Sequence, residues 1–276
     1  MVDLGHDDLV YQNVIVPNDG TLEGRIALAP AADLAWRCGA RVVHVSNTEV
    51  SDKASKAVVK GHAMAQSAAD AEFWVDLEND LSDAALTAAT YRVNPIFCVA
   101  SPGPSRGLLG RRKASVSPLA LDVATRADAA VVVIGPAIDL ARGLPMTELV
   151  AVLDGGPGCD ELVAQAEQWA QVFKLRLVLT AVAAQGAIDD RTSQQQYLDQ
   201  RADHLWAPGG VGVELVQGDD AVDGLIALLT EHENGLAMLP PTPTGTAPSL
   251  LAVDVICRSP RAVVLPRGMI PETPIS

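Results

Sequence analysis

Apolar positions along this chain follow two rhythms that take turns. Short runs of Val, Ile, Leu and Ala are separated by stretches in which apolar residues return every three or four positions. In the first half the short runs predict strands at 13–16, 41–46, 73–77, 95–100 and 129–134, with helices at 23–38, 51–69, 82–91 and 116–126. In the second half they predict strands at 149–153, 175–181, 211–216, 236–239 and 262–265, with helices at 159–173, 193–206, 221–232 and 250–258. Strands and helices in this alternation build parallel sheets from βαβ units. The run Ala129-Ala130-Val131-Val132-Val133-Ile134 has no polar face, which fits a strand covered by helices on both sides.

The pattern also repeats. Val14-Ile15-Val16-Pro17-Asn18-Asp19-Gly20 lines up with Leu149-Val150-Ala151-Val152-Leu153-Asp154-Gly155, and the same offset brings Arg41-Val42-Val43-His44 onto Arg176-Leu177-Val178-Leu179. Near the end of each half, Ala120, Asp122, Val123, Arg126 and Ala130 match Ala252, Asp254, Val255, Arg258 and Ala262. Gly143 and Pro145 interrupt both rhythms between the copies. The expected fold is therefore α/β, with two tandem Rossmann-like domains, 1–142 and 143–276, each a five-stranded parallel sheet with flanking helices.

Composition narrows the function. Of 276 residues 49% are apolar, enough for a sizeable core, yet no apolar run nears the ~20 residues of a membrane helix. The first residues carry Asp3, Asp7 and Asp8 where a signal peptide needs positive charge, so a cytoplasmic protein is expected. A net charge of −14 repels nucleic acid and acidic lipid, so neither is an expected partner. Cys38, Cys98, Cys159 and Cys257 form no metal-ligand spacing and read as reduced, mostly buried thiols.

Candidate chemistry gathers at strand ends. Asp19 and Asp154 each close a first strand, at the edge where open α/β sheets bind ligands, although an Asp-Gly pair also turns the chain and caps a helix. The segment 101–117 holds Gly103, Gly107 and Gly110 together with Arg106, Arg111, Arg112 and Lys113, and no acid lies between Asp83 and Asp122. Glycines let backbone amides approach phosphate oxygens and the following helix adds its dipole, so this loop reads as a phosphate cradle or as a solvated basic loop. Gly103-Pro104-Ser105-Arg106-Gly107 also satisfies G-x-S-x-G, but no helix follows at once as a nucleophile elbow requires. Ser115, behind Arg111-Arg112-Lys113, has the basic context of a phosphorylation site. His44 lies in a predicted strand and reads as a packed side chain, and neither a Walker A sequence nor G-x-G-x-x-G is present.

Taken in order, Val16-Pro17-Asn18-Asp19-Gly20-Thr21, His44-Val45, the Gly-rich loop, Ala114-Ser115-Val116-Ser117 and the ending Val131-Val132-Val133-Ile134-Gly135-Pro136 resemble the universal stress protein family over nearly the whole chain, as two tandem copies. The resemblance implies strand order 3-2-1-4-5 in each copy and a pocket for ATP or another adenine nucleotide in the first half. In it, Pro17, Asp19 and Val45 would edge the adenosine, while Gly103, Ser115, Val116 and Ser117, with Arg111 and Lys113, would approach the phosphates. The family pattern G-x2-G-x9-G-[S/T] is altered here: Ala100 and Ala114 replace two glycines and the spacer is one residue longer, so binding is expected to be weak. In the second half, Pro240, Pro241, Pro243 and Pro248 remove backbone donors a phosphate needs, which makes that half a built-in structural partner. The resemblance also implies pairing of the last strands of the two halves and leaves a homodimer open. No catalytic residue is expected and weak ATP hydrolysis stays open. The alternative is a nucleotide-independent interaction module whose loop 106–113 meets an acidic protein partner.

Overall fold

The computed structural model describes residues 11–18, 22–47, 71–101, 116–138, 144, 146–156, 158–181, 191–216 and 220–267. The predicted helix 51–69 and the expected boundary between residues 142 and 143 lie outside them. The strands are β1 (Asn13–Pro17), β2 (Arg41–Ser46), β3 (Ala71–Val75), β4 (Pro95–Ala100), β5 (Val131–Ile134), β6 (Glu148–Leu153), β7 (Arg176–Ala181), β8 (Val211–Leu215), β9 (Gly235–Met238) and β10 (Val263–Leu265). The described helices are α1 (Leu22–Cys38), α2 (Leu81–Thr90), α3 (Pro118–Arg126), α4 (Cys159–Phe173), α5 (Arg191–Ala202), α6 (Ala221–Glu231) and α7 (Leu250–Arg258).

The ten described strands form one sheet in the order β3-β2-β1-β4-β5-β10-β9-β6-β7-β8. Every pairing is parallel except β5 with β10, where Val133, Val132 and Val131 face Val263, Val264 and Leu265 antiparallel. Each half thus has strand order 3-2-1-4-5, and the halves meet through their last strands. Their registers coincide: Asn13 pairs with Arg41 as Glu148 pairs with Arg176, and Val42 pairs with Ala71 as Leu177 pairs with Val211.

Alternation along the strands divides the core in two. Val14, Val16, Ile96, Cys98, Val132, Leu149, Leu177 and Val264 point to one face, under α1, α4 and α5. Ile15, Val43, Phe97, Val131, Val150, Val178 and Val263 point to the other, under α2, α3, α6 and α7. Both layers cross the β5–β10 seam, where burying each Val or Leu side chain is worth ~1.5–3 kcal/mol. Trp169 of α4 adds a bond across the halves, its buried indole Nε1–H donating to Tyr11 Oη at 2.7 Å. The four cysteines are free and buried, as the sequence suggests.

The helix ends repeat as well. Asp80 and Asp220 cap α2 and α6 by accepting the N–H of Asp83 and Asp223, and Ser117 and Ser249 cap α3 and α7 in the same way. Arg126 reaches Asp83 as Arg258 reaches Asp223, which gives the matched arginines of the two copies their structural reason.

β5 and α3 each begin two residues later than expected, at Val131 and Pro118, and two other elements, β3 and α5, depart further from the expected spans. β3 covers 71–75 and not 73–77, because the Asp76 carboxylate accepts the N–H groups of Glu78 and Asn79 and turns the chain. The shift is even, so each side chain keeps its face. α5 ends at Ala202 and not at 206: Asp203 N–H makes the last bond to Asp199, and the Trp206 N–H is taken by the Glu167 carboxylate.

Candidate functional site

In each half the strand order reverses beside the first strand, and ligands of open α/β sheets bind in the crevice outside the carboxyl ends there. In the first half this edge is built by Asn18, His44, Ser101 and Ser117. The Asn18 N–H donates to the Val45 carbonyl at 2.7 Å, extending the β1–β2 ladder one step past Pro17. Its side-chain amide meets His44 Nε2 at 2.6 Å. A Cβ on Gly24 would lie 2.3 Å from Asn18 Oδ1, so only glycine lets the first turn of α1 settle on this amide.

His44 is buried edge-to-face against Phe73, ring centroids 5.2 Å apart, and burial pulls its pKa down to about 4. With the amide N–H donating to Nε2, the neutral ring carries its proton on Nδ1. The side chain is packed, as its place in a strand implies.

At the end of β4, the Ser101 N–H donates to the Ile134 carbonyl at 2.8 Å and its hydroxyl accepts the Ser117 N–H at 2.8 Å. Ser117 Oγ accepts the Ala120 N–H and donates to the Ala100 carbonyl, both at 3.2 Å. Residues 101 and 117 are therefore tied together, and the basic segment of the sequence departs and returns at one point. Ser117 has both polar groups engaged, so a phosphate there would compete with the cap of α3.

Pro17 and Val45 are buried at this edge and Val116 is half-buried against the second core layer. Asp19, Gly103, Arg111, Lys113 and Ser115 lie outside the described residues, as does the G-x-S-x-G segment. Sequence reasoning assigned no role to Asn18 or Ser101. The one signal for Asn18 was its place before the Asp-Gly turn, and Ser101 had none beyond opening the loop.

The second half treats the equivalent edge differently. Asp154 Oδ1 accepts the Gly156 N–H at 2.8 Å and faces Cys159 Sγ at 3.5 Å, while Gly155 takes φ +75°, so this Asp serves its own turn. A Cβ on Gly158 would come within 3.1 Å of the Pro241 ring, which means the Pro-rich segment lies on the start of α4. Arg267 holds that segment: buried, it donates to the carbonyls of Thr242, at 3.1 Å, and of Ala124 at the end of α3. Burial pulls its pKa down, and Asp128 opposes the shift. The Gly245 N–H reaches the Thr125 carbonyl at 2.8 Å, so the strap spans both halves.

Among the described residues no group of His, Cys, Asp and Glu could hold a metal ion, and no helix is long and apolar enough to cross a membrane.

These features define the class: a Rossmann-like α/β protein with a crevice at the carboxyl ends of parallel strands, framed in one half and overlaid in the other. More narrowly, the fold is that of universal stress proteins. A universal stress protein from Archaeoglobus fulgidus superposes with a TM-score of 0.63 over 92% of this chain and 98% of its own, at 16% identity. A functionally unknown protein from Pseudomonas aeruginosa PAO1 does so with a TM-score of 0.62 over 94% and 93%, at 12% identity. Coverage this complete carries the likeness through both halves of the sheet. No family model matches the sequence, and no curated protein matches it.

Proposed function

We propose that the chain is a cytoplasmic universal stress protein that binds ATP or another adenine nucleotide weakly, in the first half alone, and has no catalytic group of its own. The observation that carries this is the contrast between the two strand-end crevices. Among the described residues Asn18, His44, Ser101 and Ser117 frame the first, whereas at the second Pro241 lies on the start of α4 and Asp154 is taken up by its own turn. The cations Arg111 and Lys113 accompany only the first.

The test is to denature freshly purified protein, chromatograph what it releases, and titrate ATP, ADP and AMP into the stripped chain by calorimetry. Bound nucleotide near one per chain, weakened by Arg111→Ala or Lys113→Ala and indifferent to Thr244→Ala, is the expected result. No heat up to millimolar nucleotide, or equal loss from Thr244→Ala, overturns it.

A second reading has its own support. Ala100 is buried with its carbonyl bonded to Ser117, and with Ala114 it stands where the family pattern has glycine. A chain that ignores nucleotide and captures an acidic protein through 106–113 would fit that reading.

A further inference from the structure

Because the two halves share strand registers and helix caps, residues of the paired strands and capped helices can be matched between them, and one pair of places differs sharply. Between β3 and α2 the first half carries an aromatic plug. Trp74 stacks on Tyr91 with ring centroids 5.6 Å apart, and the Arg92 guanidinium lies over the indole at 5.3 Å. Counting from the pairs Ala71–Val42 and Val211–Leu177, the place of Trp74 is taken by Glu214. Counting from the caps Asp80 and Asp220, the place of Tyr91 is taken by Glu231. With both rings gone, a cavity of about 300 Å³ opens between β8 and α6, lined by Glu214, Leu215, Gly224, Ala227, Leu228 and Glu231.

We propose that this groove binds a small flat organic cation, of the aromatic amidinium or guanidinium class. The first half shows what fits, a ring lying against the helix; by the same count His232 takes the place of Arg92, so the second half lacks the rings but not the neighbouring cation. The second half keeps an apolar bed on the helix side, in Ala227 and Leu228, and supplies negative charge where the plug had aromatic rings; Leu215 brings only its backbone, its side chain lying in the opposite core layer. The two carboxylates are not equivalent. Glu214 is shared with His232 Nε2 at 3.1 Å and with Arg176 at 3.9 Å, which fixes its position and offsets much of its charge. The carboxylate of Glu231 has no partner among the described residues and its residue is exposed, so it is the group a ligand cation would meet. The volume is at the small end for ligand sites, which selects a single ring over a nucleotide. The site lies apart from the strand-end crevice of the first half and does not depend on nucleotide binding there.

The probe is benzamidine, titrated into the full chain and followed by ¹H–¹⁵N correlation spectra. Saturable shifts at the amides of Leu215, Gly224 and Leu228 are expected, with the uncharged benzamide and the anion benzoate giving none. Glu231→Gln, a change at an exposed position, should weaken binding about tenfold, the value of one charge-assisted contact. Ala227→Phe, which refills the groove from its open side without touching His232 or Arg176, should abolish it. Shifts with benzamide equal to those with benzamidine overturn the proposal. So does the absence of shifts at millimolar benzamidine, or unchanged binding in both variants.

Discussion

Replacing Tyr11 by Phe removes one oxygen, and the structure sets the consequence. Trp169 is fully buried and its Nε1–H, a donor with no acceptor capacity, has Tyr11 Oη as its partner at 2.7 Å. The Phe ring would preserve the edge contact with Trp169 at 5.6 Å and the stacked contact with Phe173 at 6.3 Å, so the aromatic packing stays and the hydrogen bond alone is lost. A buried donor left without a partner costs ~1–3 kcal/mol. For a chain of this size that is a fall in Tm of roughly 2 to 12 °C. Urea unfolding, read by tryptophan fluorescence and by far-UV circular dichroism, measures the loss at equilibrium. Repeating the substitution in a Trp169→Phe background isolates the bond, since no indole N–H is then left to strand. If Tyr11→Phe is neutral, or costs as much in that background as in the parent chain, the hydrogen bond is not what ties α4 to the first half.

His44, held neutral by burial, should show no protonation in an NMR titration until pH nears 4; because its pKa is lowered on folding, it removes stability as pH falls from about 6.5 to about 4. A midpoint near 6.5 would refute that burial. His232 behaves in the opposite sense. Burial disfavours its charge, but hydrogen bonds to Glu148 at 2.7 Å and Glu214 at 3.1 Å prevail and raise its pKa. Its contribution is complete below the ordinary histidine value and is lost as pH climbs through the raised one, and His232→Gln should flatten that part of the stability profile. Gly135→Ala should destabilise by ~1–3 kcal/mol, because the new Cβ would sit 2.2 Å from the Ile256 carbonyl oxygen across the seam; a neutral result in denaturant would show that α7 can retreat from β5.

The apolar runs were enough to read the layers, because strands such as Val131-Val132-Val133-Ile134 have no side that tolerates water and must be covered on both. Ends of elements were harder. β3 stops where Asp76 finds two backbone donors, and α5 stops where Glu167, far away in sequence, takes the Trp206 amide. The Asn18–His44 pair depends on a residue 26 positions distant and on a missing methyl at Gly24, neither of which has a local signature. The strap was legible as a lack of donors in its prolines, but not as a ligature, since the buried Arg267 that holds it comes from beyond the last strand. The acidic groove becomes visible only when Trp74 is set against Glu214, a comparison that needs the strand registers.

The antiparallel seam between β5 and β10 bears on symmetry. Two separate chains joined through their last strands would be related by a twofold axis, and whatever one chain carried at its strand ends the other would carry too. Here both partners belong to one polypeptide, so no operator forces them to agree. Each substitution acts once per sheet. One half can keep a cationic loop and an aromatic plug while the other acquires a proline strap and a pair of carboxylates, with the pairing surface between them unchanged.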